Sequence, residues 1–331
     1  MAKRKKRSQN YSKPIRWFWM AFLAVVLGVA LIFILASFGA FGAMPDHTAL
    51  ENPRTNLATE IISADGETLG KFYYEDNRTP VAFNELPKHL VDALIATEDV
   101  RYFDHAGIDV RGTIRAFAFL GKRGGASTIS QQLARQLFVG VRSKNKLETA
   151  TQKIKEWVLA TRLERQYTKE EIIAQYFNIY DFGNNADGIR SASRIYFGKE
   201  PIELSCNESA MLVGMFKNSS LYNPRPKRNP IGTKNRRNVV LSQMAKYGFL
   251  EETHKDSLQK LPLGLNYSPE SHREGIATYF RSYLRGFMKE WVNAPENRKP
   301  NGDKYNIYKD GLKIHTTIDS RMQTFAEAAT R

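Results

Sequence analysis

Cysteine is almost absent from this chain of 331 residues, in which Cys206 is the only one. A single cysteine cannot form an intrachain disulfide, and it excludes a zinc site built from cysteines. The HExxH and GxSxG signatures are also missing, which weighs against zinc hydrolases and α/β-hydrolases. No GxxxxGK[ST] loop occurs, so a P-loop nucleotide site is excluded. The absence of any Asp-x-Asp pair leaves a metal-bound nucleotide-sugar donor without support.

Acidic residues are absent from the first 44 positions. The basic residues of that stretch are Lys3, Arg4, Lys5, Lys6, Arg7, Lys13 and Arg16. They account for seven of the fifteen net positive charges of the chain, which leaves eight for the rest. A basic excess of this size indicates a polyanionic partner, such as nucleic acid, an anionic membrane surface or phosphates.

Charged residues of either sign are missing from Trp17 to Met44, a run of 28 residues. About 20 apolar residues suffice to span a bilayer. The alternative is a cleaved signal peptide, with a cleavage site near the small residues Gly42 and Ala43. The apolar part of a signal peptide is usually only about 7–15 residues long, which disfavours this alternative. The positive-inside rule keeps the basic arm in the cytoplasm. The sequence therefore predicts a cytoplasmic arm (1–16), a single transmembrane helix (17–44) and a body outside the inner membrane of a bacterium, where no nucleic acid is expected.

The remainder predicts a connector (45–60), a mainly α domain (61–250) and a linker region (251–331). Two short strands, Ile61–Ile62 and Leu69–Tyr74, are expected around an Asp-Gly turn. Helical periodicity is found over 86–103, 108–120, 128–140, 145–166, 168–180, 186–197, 206–217 and 233–247. Residues 292–310 are polar, 312–318 alternate like a strand, and a helix is expected from Ser320. Because that helix has no C-terminal cap by residue 331, we expect a longer protein.

Chemistry-bearing side chains are dense between Glu98 and Asp109. Glu98 follows Leu94 and Val91 by steps of four and seven, so it lies on the apolar face of the predicted helix. A carboxylate there is either satisfied by partners in the core or placed to act as a general base. Taken alone, His105 is more typical of a structural hydrogen-bonding residue than of a catalyst.

A glycine-rich segment runs from Lys122 to Arg135. Thr128 followed by Gln131 predicts a capping box at the start of a helix. Glycines and cations at a helix N-terminus are typical of a phosphate cradle, and an ordinary capped turn is the equally good alternative.

A second carboxylate, Glu156, shares a helix face with Gln152, Leu159 and Leu163. Lys153 lies three residues before it and can pair with it. Taken alone, such a pair is usually solvated.

Together these segments resemble the peptidoglycan glycosyltransferase (transglycosylase) domain of class A penicillin-binding proteins. The resemblance runs from about Ile61 to Gly248 and rests on five ordered motifs. These are EDVRYFDHAGID, GGASTISQQLAR, KIKE, TKEEIIAQYFNIYDFGNNADGIRSASRIYFGK, and NESAMLVGMFKNSSLYNPRPKRNP with RRNVVLSQM. The closing DGLKIHTTIDSRMQ resembles the link into the transpeptidase domain of the bifunctional enzymes, which we expect beyond Arg331.

The resemblance implies a lysozyme-like fold and polymerisation of lipid II. Glu98 would be the general base on the acceptor, and Glu156 would act at the lipid-linked glycan donor, with Mg²⁺ or Mn²⁺ as an optional cation near it and no organic cofactor. Lys153, Arg135 and Arg123 would bind the leaving pyrophosphate. The other residues expected to bind substrate are Asp99, Phe103, His105, Gly125, Ser127, Thr128, Gln131, Gln132 and Asn178. Membrane lipids and cell-wall synthesis proteins are the further partners expected.

Three positions depart from the family pattern: Gln152 replaces the arginine of RKxxE, Gln136 stands where asparagine is usual, and Phe177 stands for leucine. The change at Gln152 removes a cation expected near the substrate phosphates. Lys153 and Lys155 are the candidates to replace that cation.

Aromatic and cationic residues interleave from Arg111 to Arg123. Such a pattern is typical of a membrane interface, so we expect this stretch, with Phe117 and Phe119, to dip into the bilayer. A plain core helix is the alternative.

Two rival functions remain open at this point. One is a lysozyme-like hydrolase of the same glycan, which the cations beside the glycine-rich loop disfavour because hydrolysis has no pyrophosphate to bind. The other is an inactive scaffold, which the presence of both Glu98 and Glu156 disfavours.

Overall fold

The computed structural model describes residues 12–42, 44–45, 50, 58–72, 79–119, 125–225, 228–268, 276–300, 302–308 and 310–330. Helix α1, Ser12–Ser37, contains a candidate membrane span at Ile15–Ser37 with a mean hydropathy of 2.8. No residue in the most apolar 18-residue window of the span is buried, whereas Ala36 near its C-terminal end is covered by the described part of the body. The predicted apolar N-terminal helix is therefore confirmed, by length and composition.

The body of the protein is helical, as predicted. Its helices are α2 (Lys88–Glu98), α3 (Val110–Ala118), α4 (Ile129–Ala134), α5 (Lys146–Gln166), α6 (Lys169–Ile179), α7 (Gly188–Phe197), α8 (Cys206–Met215), α9 (Pro230–Lys246), α10 (Glu252–Lys260), α11 (Thr278–Asn293) and α12 (Ser320–Thr330). Helix α2 packs against α8 and α9, and α4 packs against α5 and α6. The mainly α class is confirmed.

Local sequence signals explain where these helices begin. Thr168 and Glu171 form a capping box at the start of α6, and Ser205 and Glu208 form another before α8. Asn145 caps α5 by accepting a hydrogen bond from the backbone of Leu147. These caps satisfy backbone N–H groups that have no partner inside the helix.

A small sheet joins the two ends of the body. Strand β1 (Thr59–Ile62) pairs antiparallel with β2 (Thr68–Phe72) and parallel with β3 (Lys313–His315). The predicted Asp-Gly turn is present, with Gly66 at φ +89°. Asp65 in that turn accepts a hydrogen bond from the backbone of Ser320, the first residue of α12, at 2.9 Å. Residues near the end of the chain are thus fastened to the start of the domain.

The region after residue 250 contains more structure than expected. No helix is predicted between 251 and 291, yet α10 lies there, and α11 begins there and runs to Asn293, inside the predicted polar segment 292–310. Leu284 and Met288 of α11 pack with Ile61, Leu69 and the rest of a second, smaller core. Because one face of this helix is buried, its apolar residues recur at helical spacing, and this was a local signal that the prediction overlooked.

Helix α5 lies against the C-terminal end of α1. The rings of Phe33 and Trp157 stack with centroids 6.1 Å apart. Arg162 donates to the carbonyl oxygen of Ser37 at 3.3 Å. These contacts hold the helix that carries Glu156 next to the candidate membrane span.

Candidate active site

Glu98 is the last residue of α2 and its side chain is half-buried. Gln132 Nε2 donates to Glu98 Oε2 at 3.0 Å, and the hydroxyl of Tyr176 donates to Gln132 Oε1 at 2.8 Å. Burial, helped by the nearby Glu98 charge, raises the pKa of Tyr176 well above its usual range. Tyr176 therefore stays a donor, and the Gln132 amide is oriented with its N–H towards the carboxylate.

The next residue, Asp99, points into the protein. Helix α2 was predicted to run to residue 103, but it ends here because Asp99 leaves the helical region, at φ −157° and ψ 74°. Its carboxylate accepts from the backbone N–H of Ile129 at 3.1 Å. His105 Nε2 lies 3.1 Å from both Asp99 oxygens. Asp99 and His105 thus hold the start of α4 in place, which is the structural alternative considered for His105.

Gly107 is the second anchor of α4. Its carbonyl oxygen accepts from Thr128 Oγ1 at 2.7 Å and from Gln131 Nε2 at 3.1 Å. Thr128 caps the helix, but the predicted capping box is incomplete because the Gln131 side chain turns to Gly107 instead. Gly107 has φ +88°, and a Cβ there would lie 2.9 Å from the backbone of Ala160. Only glycine fits this approach to α5.

Lys153 and Glu156 meet on α5, as predicted. Lys153 Nζ donates to Glu156 Oε2 and to Gln131 Oε1 at 2.9 Å each, and to Ser127 Oγ at 3.0 Å. Arg142 donates to the other oxygen of Glu156, also at 2.9 Å. The Glu156 side chain is only 2% exposed, so this is a buried carboxylate with two cations and not a solvated helix pair.

Burial, reinforced by the charges of Arg142 and Arg135, lowers the pKa of Lys153, and the contact with Glu156 opposes that shift. Arg135 is half-buried on the π-helical turn Arg135–Val139 that follows α4. In the described part of the chain its guanidinium makes no hydrogen bond or ion pair. Lys153, Arg142 and Arg135 carry three positive charges against the single negative charge of Glu156, so the cluster is suited to bind an anion.

The structure places the other predicted substrate residues at different distances from this cluster. Ser127 is exposed beside Lys153, and Gly125 is exposed beside Arg115, whose guanidinium lies 3.4 Å from its carbonyl oxygen. Arg123 lies outside the described residues.

Phe103 and Asn178 are not brought to the cluster by any contact described. Phe103 is 58% exposed and lines an apolar cavity of about 450 Å³ with Val91 and Ile95. Both polar atoms of the Asn178 side chain bond the backbone of Val81 at 2.9 Å. Their roles as substrate contacts stay predictions, and these bonds favour a structural role for Asn178.

The residues around Glu156 do not fit Mg²⁺ or Mn²⁺. Hard divalent cations take oxygen ligands. Each Glu156 oxygen already accepts from a cation, and the described residues contain no group of three His, Cys, Asp or Glu side chains that could hold a metal.

Sequence reasoning missed Arg142 and Tyr176. Arg142 lies 14 residues before Glu156 in a loop, a separation without helical or strand periodicity. Tyr176 stands in the quoted YFNIY segment, but its contact with Gln132 spans 44 residues. The departure at Gln152 was the one signal that a substitute cation was needed.

A family model described as Transglycosylase matches residues 65–245. Penicillin-binding protein 1A of Escherichia coli is 35% identical over 318 residues, 94% of this chain and 35% of that protein. Penicillin-binding protein 1A of Pseudomonas aeruginosa is 32% identical over 96% of this chain and 37% of its own length. Penicillin-binding protein 1F of Bacillus subtilis is 32% identical over 92% of this chain and 40% of its own length.

A crystal structure of penicillin-binding protein 1A from Haemophilus influenzae aligns with 83% of this chain and 29% of that chain, at 22% identity and a TM-score of 0.39. The chain spans about 35–40% of the length of the three relatives named above. Because the family model covers more than half of the residues, this chain belongs to the transglycosylase family.

Proposed function

We propose that the site polymerises peptidoglycan glycan strands, with lipid II as acceptor and a lipid-linked glycan as donor. One observation carries the proposal. Consecutive residues of α4 contact both halves of the site, since Gln132 bonds Glu98 and Gln131 bonds Lys153. A short, capped helix thereby places a half-buried carboxylate and a cationic cluster on either side of one segment, as a transfer between a hydroxyl and a phosphorylated sugar requires.

Glu98 acts as the general base. It takes the proton of the acceptor 4-hydroxyl while that oxygen attacks C1 of the donor sugar. The carboxylate is free to do so because the single described hydrogen bond to its side chain, from Gln132, engages Oε2 only. A positioned base contributes typically 10²–10⁴-fold to a rate.

The cationic cluster stabilises the leaving group. As the new C1–O bond forms with inversion to a β-1,4 linkage, the bond from C1 to the phosphate oxygen breaks and its electron pair leaves on undecaprenyl pyrophosphate. Lys153 and Arg135 face that developing charge, and Ser127 beside Lys153 can donate to it. Donors fixed before the reaction are often the largest single contribution to catalysis.

The membrane supplies both substrates in this proposal. Helix α1 spans the inner membrane with its N-terminus in the cytoplasm, and the body lies on the outer face. Val110 and Ile114, one turn apart on α3, are 62% and 64% exposed, and the exposed Arg111 and Arg115 flank them. This combination supports insertion of α3 into the interface, where apolar side chains enter and cations meet lipid phosphates. The side chain of Phe117 and all of residues 120–124 lie outside the described residues.

The test is to identify the product made from lipid II by the chain in detergent or liposomes. We expect glycan longer than the substrate, together with undecaprenyl pyrophosphate. Shorter fragments formed from preassembled glycan would establish the hydrolase, and no product from either substrate would establish the inactive scaffold.

A further inference from the structure

The loop between the π-helical turn and α5 is held by Gln152. Gln152 Oε1 accepts from the backbone N–H of Ser143 at 3.0 Å, and its Nε2 donates to the carbonyl oxygen of Val141 at 3.1 Å. The two bonds lie on either side of Arg142. Arginine at position 152 could not make both, because a guanidinium has no acceptor. The uncharged side chain at 152 thus acts as a clamp on the backbone around Arg142.

Arg142 extends from this clamped loop to the buried carboxylate of Glu156 at 2.9 Å. Its side chain is 41% exposed, while that of Glu156 is 2% exposed. The guanidinium has five N–H donors, and the bond to Glu156 is the one polar contact that the described residues make with it. Because the Arg142 side chain is 41% exposed and shares Glu156 with Lys153, a ligand can reach further guanidinium donors there, and their planar arrangement suits two phosphate oxygens.

Lys155, the other candidate to replace the missing motif cation, is on a different side of α5. A Cβ at Gly42 would lie 2.6 Å from Lys155 Nζ, so the ammonium lies against the segment that follows α1. Lys153 is already the cation of the motif itself. Arg142 is thus the described cation that lies outside the KIKE motif and still contacts Glu156.

We propose that Arg142, positioned by Gln152, contacts the diphosphate of the donor and takes the place of the arginine that position 152 lacks. This inference rests on the proposed function, because the diphosphate is the leaving group of that reaction. Gln152 is a positioning residue, whereas Arg142 binds the substrate.

The first test compares Arg142→Gln with Lys144→Gln in the full chain. The glutamine at 142 removes the charge and keeps an amide donor for Glu156. Lys144 is an exposed cation of the same loop and serves as the matched control. Since Arg142→Gln removes a hydrogen bond between charged groups, we expect it to weaken the affinity for inorganic pyrophosphate about 10–100-fold and kcat/KM for lipid II as much. Equal values for the two variants would overturn the proposal.

The second test is rescue. Adding Gln152→Arg to Arg142→Gln is expected to recover most of the pyrophosphate affinity that Arg142→Gln alone loses, since the cation returns to the same helix face. A double variant no better than Arg142→Gln contradicts the substitution of one cation for the other.

The third test addresses the clamp. Gln152→Met removes both loop bonds at similar size and is expected to weaken pyrophosphate binding several-fold in the wild type, but not in the Arg142→Gln background. Additive effects would show that Gln152 does not act through Arg142. Pyrophosphate binding is read without polymerisation, so wild-type protein that binds pyrophosphate but makes no polymer would refute the proposed function alone.

Discussion

Replacement of Glu98 by glutamine separates catalysis from stability at this site. The substitution keeps the size of the side chain and removes its ability to take a proton. Gln132 Nε2 donates a hydrogen bond to Glu98 Oε2 at 3.0 Å. The amide oxygen of a glutamine at position 98 can still accept this hydrogen bond. Because Glu98 is half-buried and makes no described ion pair, no buried charge is left without a partner.

The expected magnitudes follow from these contacts. Loss of a general base lowers the rate by about 10²–10⁴-fold, which corresponds to about 3–5 kcal/mol in the activation free energy at roughly 1.4 kcal/mol per decade. The free energy of unfolding should change by less than about 1.5 kcal/mol, because a hydrogen bond to a charged group is replaced by a neutral one.

The assay is steady-state polymerisation of lipid II, paired with thermal unfolding of the same samples. Asp104→Asn is the matched control, since Asp104 is an exposed carboxylate in the same segment. A Glu98→Gln rate within about threefold of the wild type would refute the base assignment. A large fall in the unfolding temperature would show instead that Glu98 is structural.

Four further predictions concern the surroundings of the base. Glu156→Gln should lower both stability and activity. Breaking a buried ion pair costs about 3–5 kcal/mol, and we expect about 1–3 kcal/mol here because both cations are partly exposed. An unchanged melting temperature would contradict this prediction. Burial lowers the pKa of Lys153, so its ammonium loses the proton at a lower pH than an exposed lysine does, and activity should fall at alkaline pH. Lys153→Arg should shift this fall in activity to higher pH. Identical pH–rate profiles of the two proteins would count against the role of Lys153. Gly107→Ala should lower the free energy of unfolding by about 2–4 kcal/mol in denaturant titrations. About 1–2 kcal/mol comes from the left-handed backbone, and overpacking against α5 adds a similar cost. A change below about 1 kcal/mol would be evidence against the close approach of Gly107 to α5. The pair Val110→Ser and Ile114→Ser should reduce activity in liposomes more than in detergent, and an equal effect in both would exclude insertion of α3 into the bilayer.

Periodic and local features could be predicted from the sequence alone. The apolar run of α1, the helices with their Thr168 and Ser205 caps, and the Asp-Gly turn follow from spacing and side-chain chemistry within a few residues. The pairing of Lys153 with Glu156 follows from their separation of three residues on one helix.

Helix ends and long-range contacts could not be predicted in this way. The expected helix over 86–103 stops at Glu98 because Asp99 turns inward to bond Ile129 and His105, partners 30 and 6 residues away. The apolar spacing of α11 was a local signal, but its packing partner could not be predicted, because the core that it meets is built from β1 and β2, more than 200 residues earlier.

The order of amino acids is enough to name the components of the site: two glutamates, a capped glycine-rich segment and an excess of cations behind an apolar helix. What each component does depends on the folded chain. Burial at 2% exposure makes Glu156 an anchor for cations, while Glu98 at the half-buried end of α2 stays accessible, as the proposed base must be. Only the folded chain brings Arg142 to Glu156, because Gln152 bonds the loop backbone on either side of it. The physical reason is that a charge acquires its role from desolvation and from partners distant in sequence.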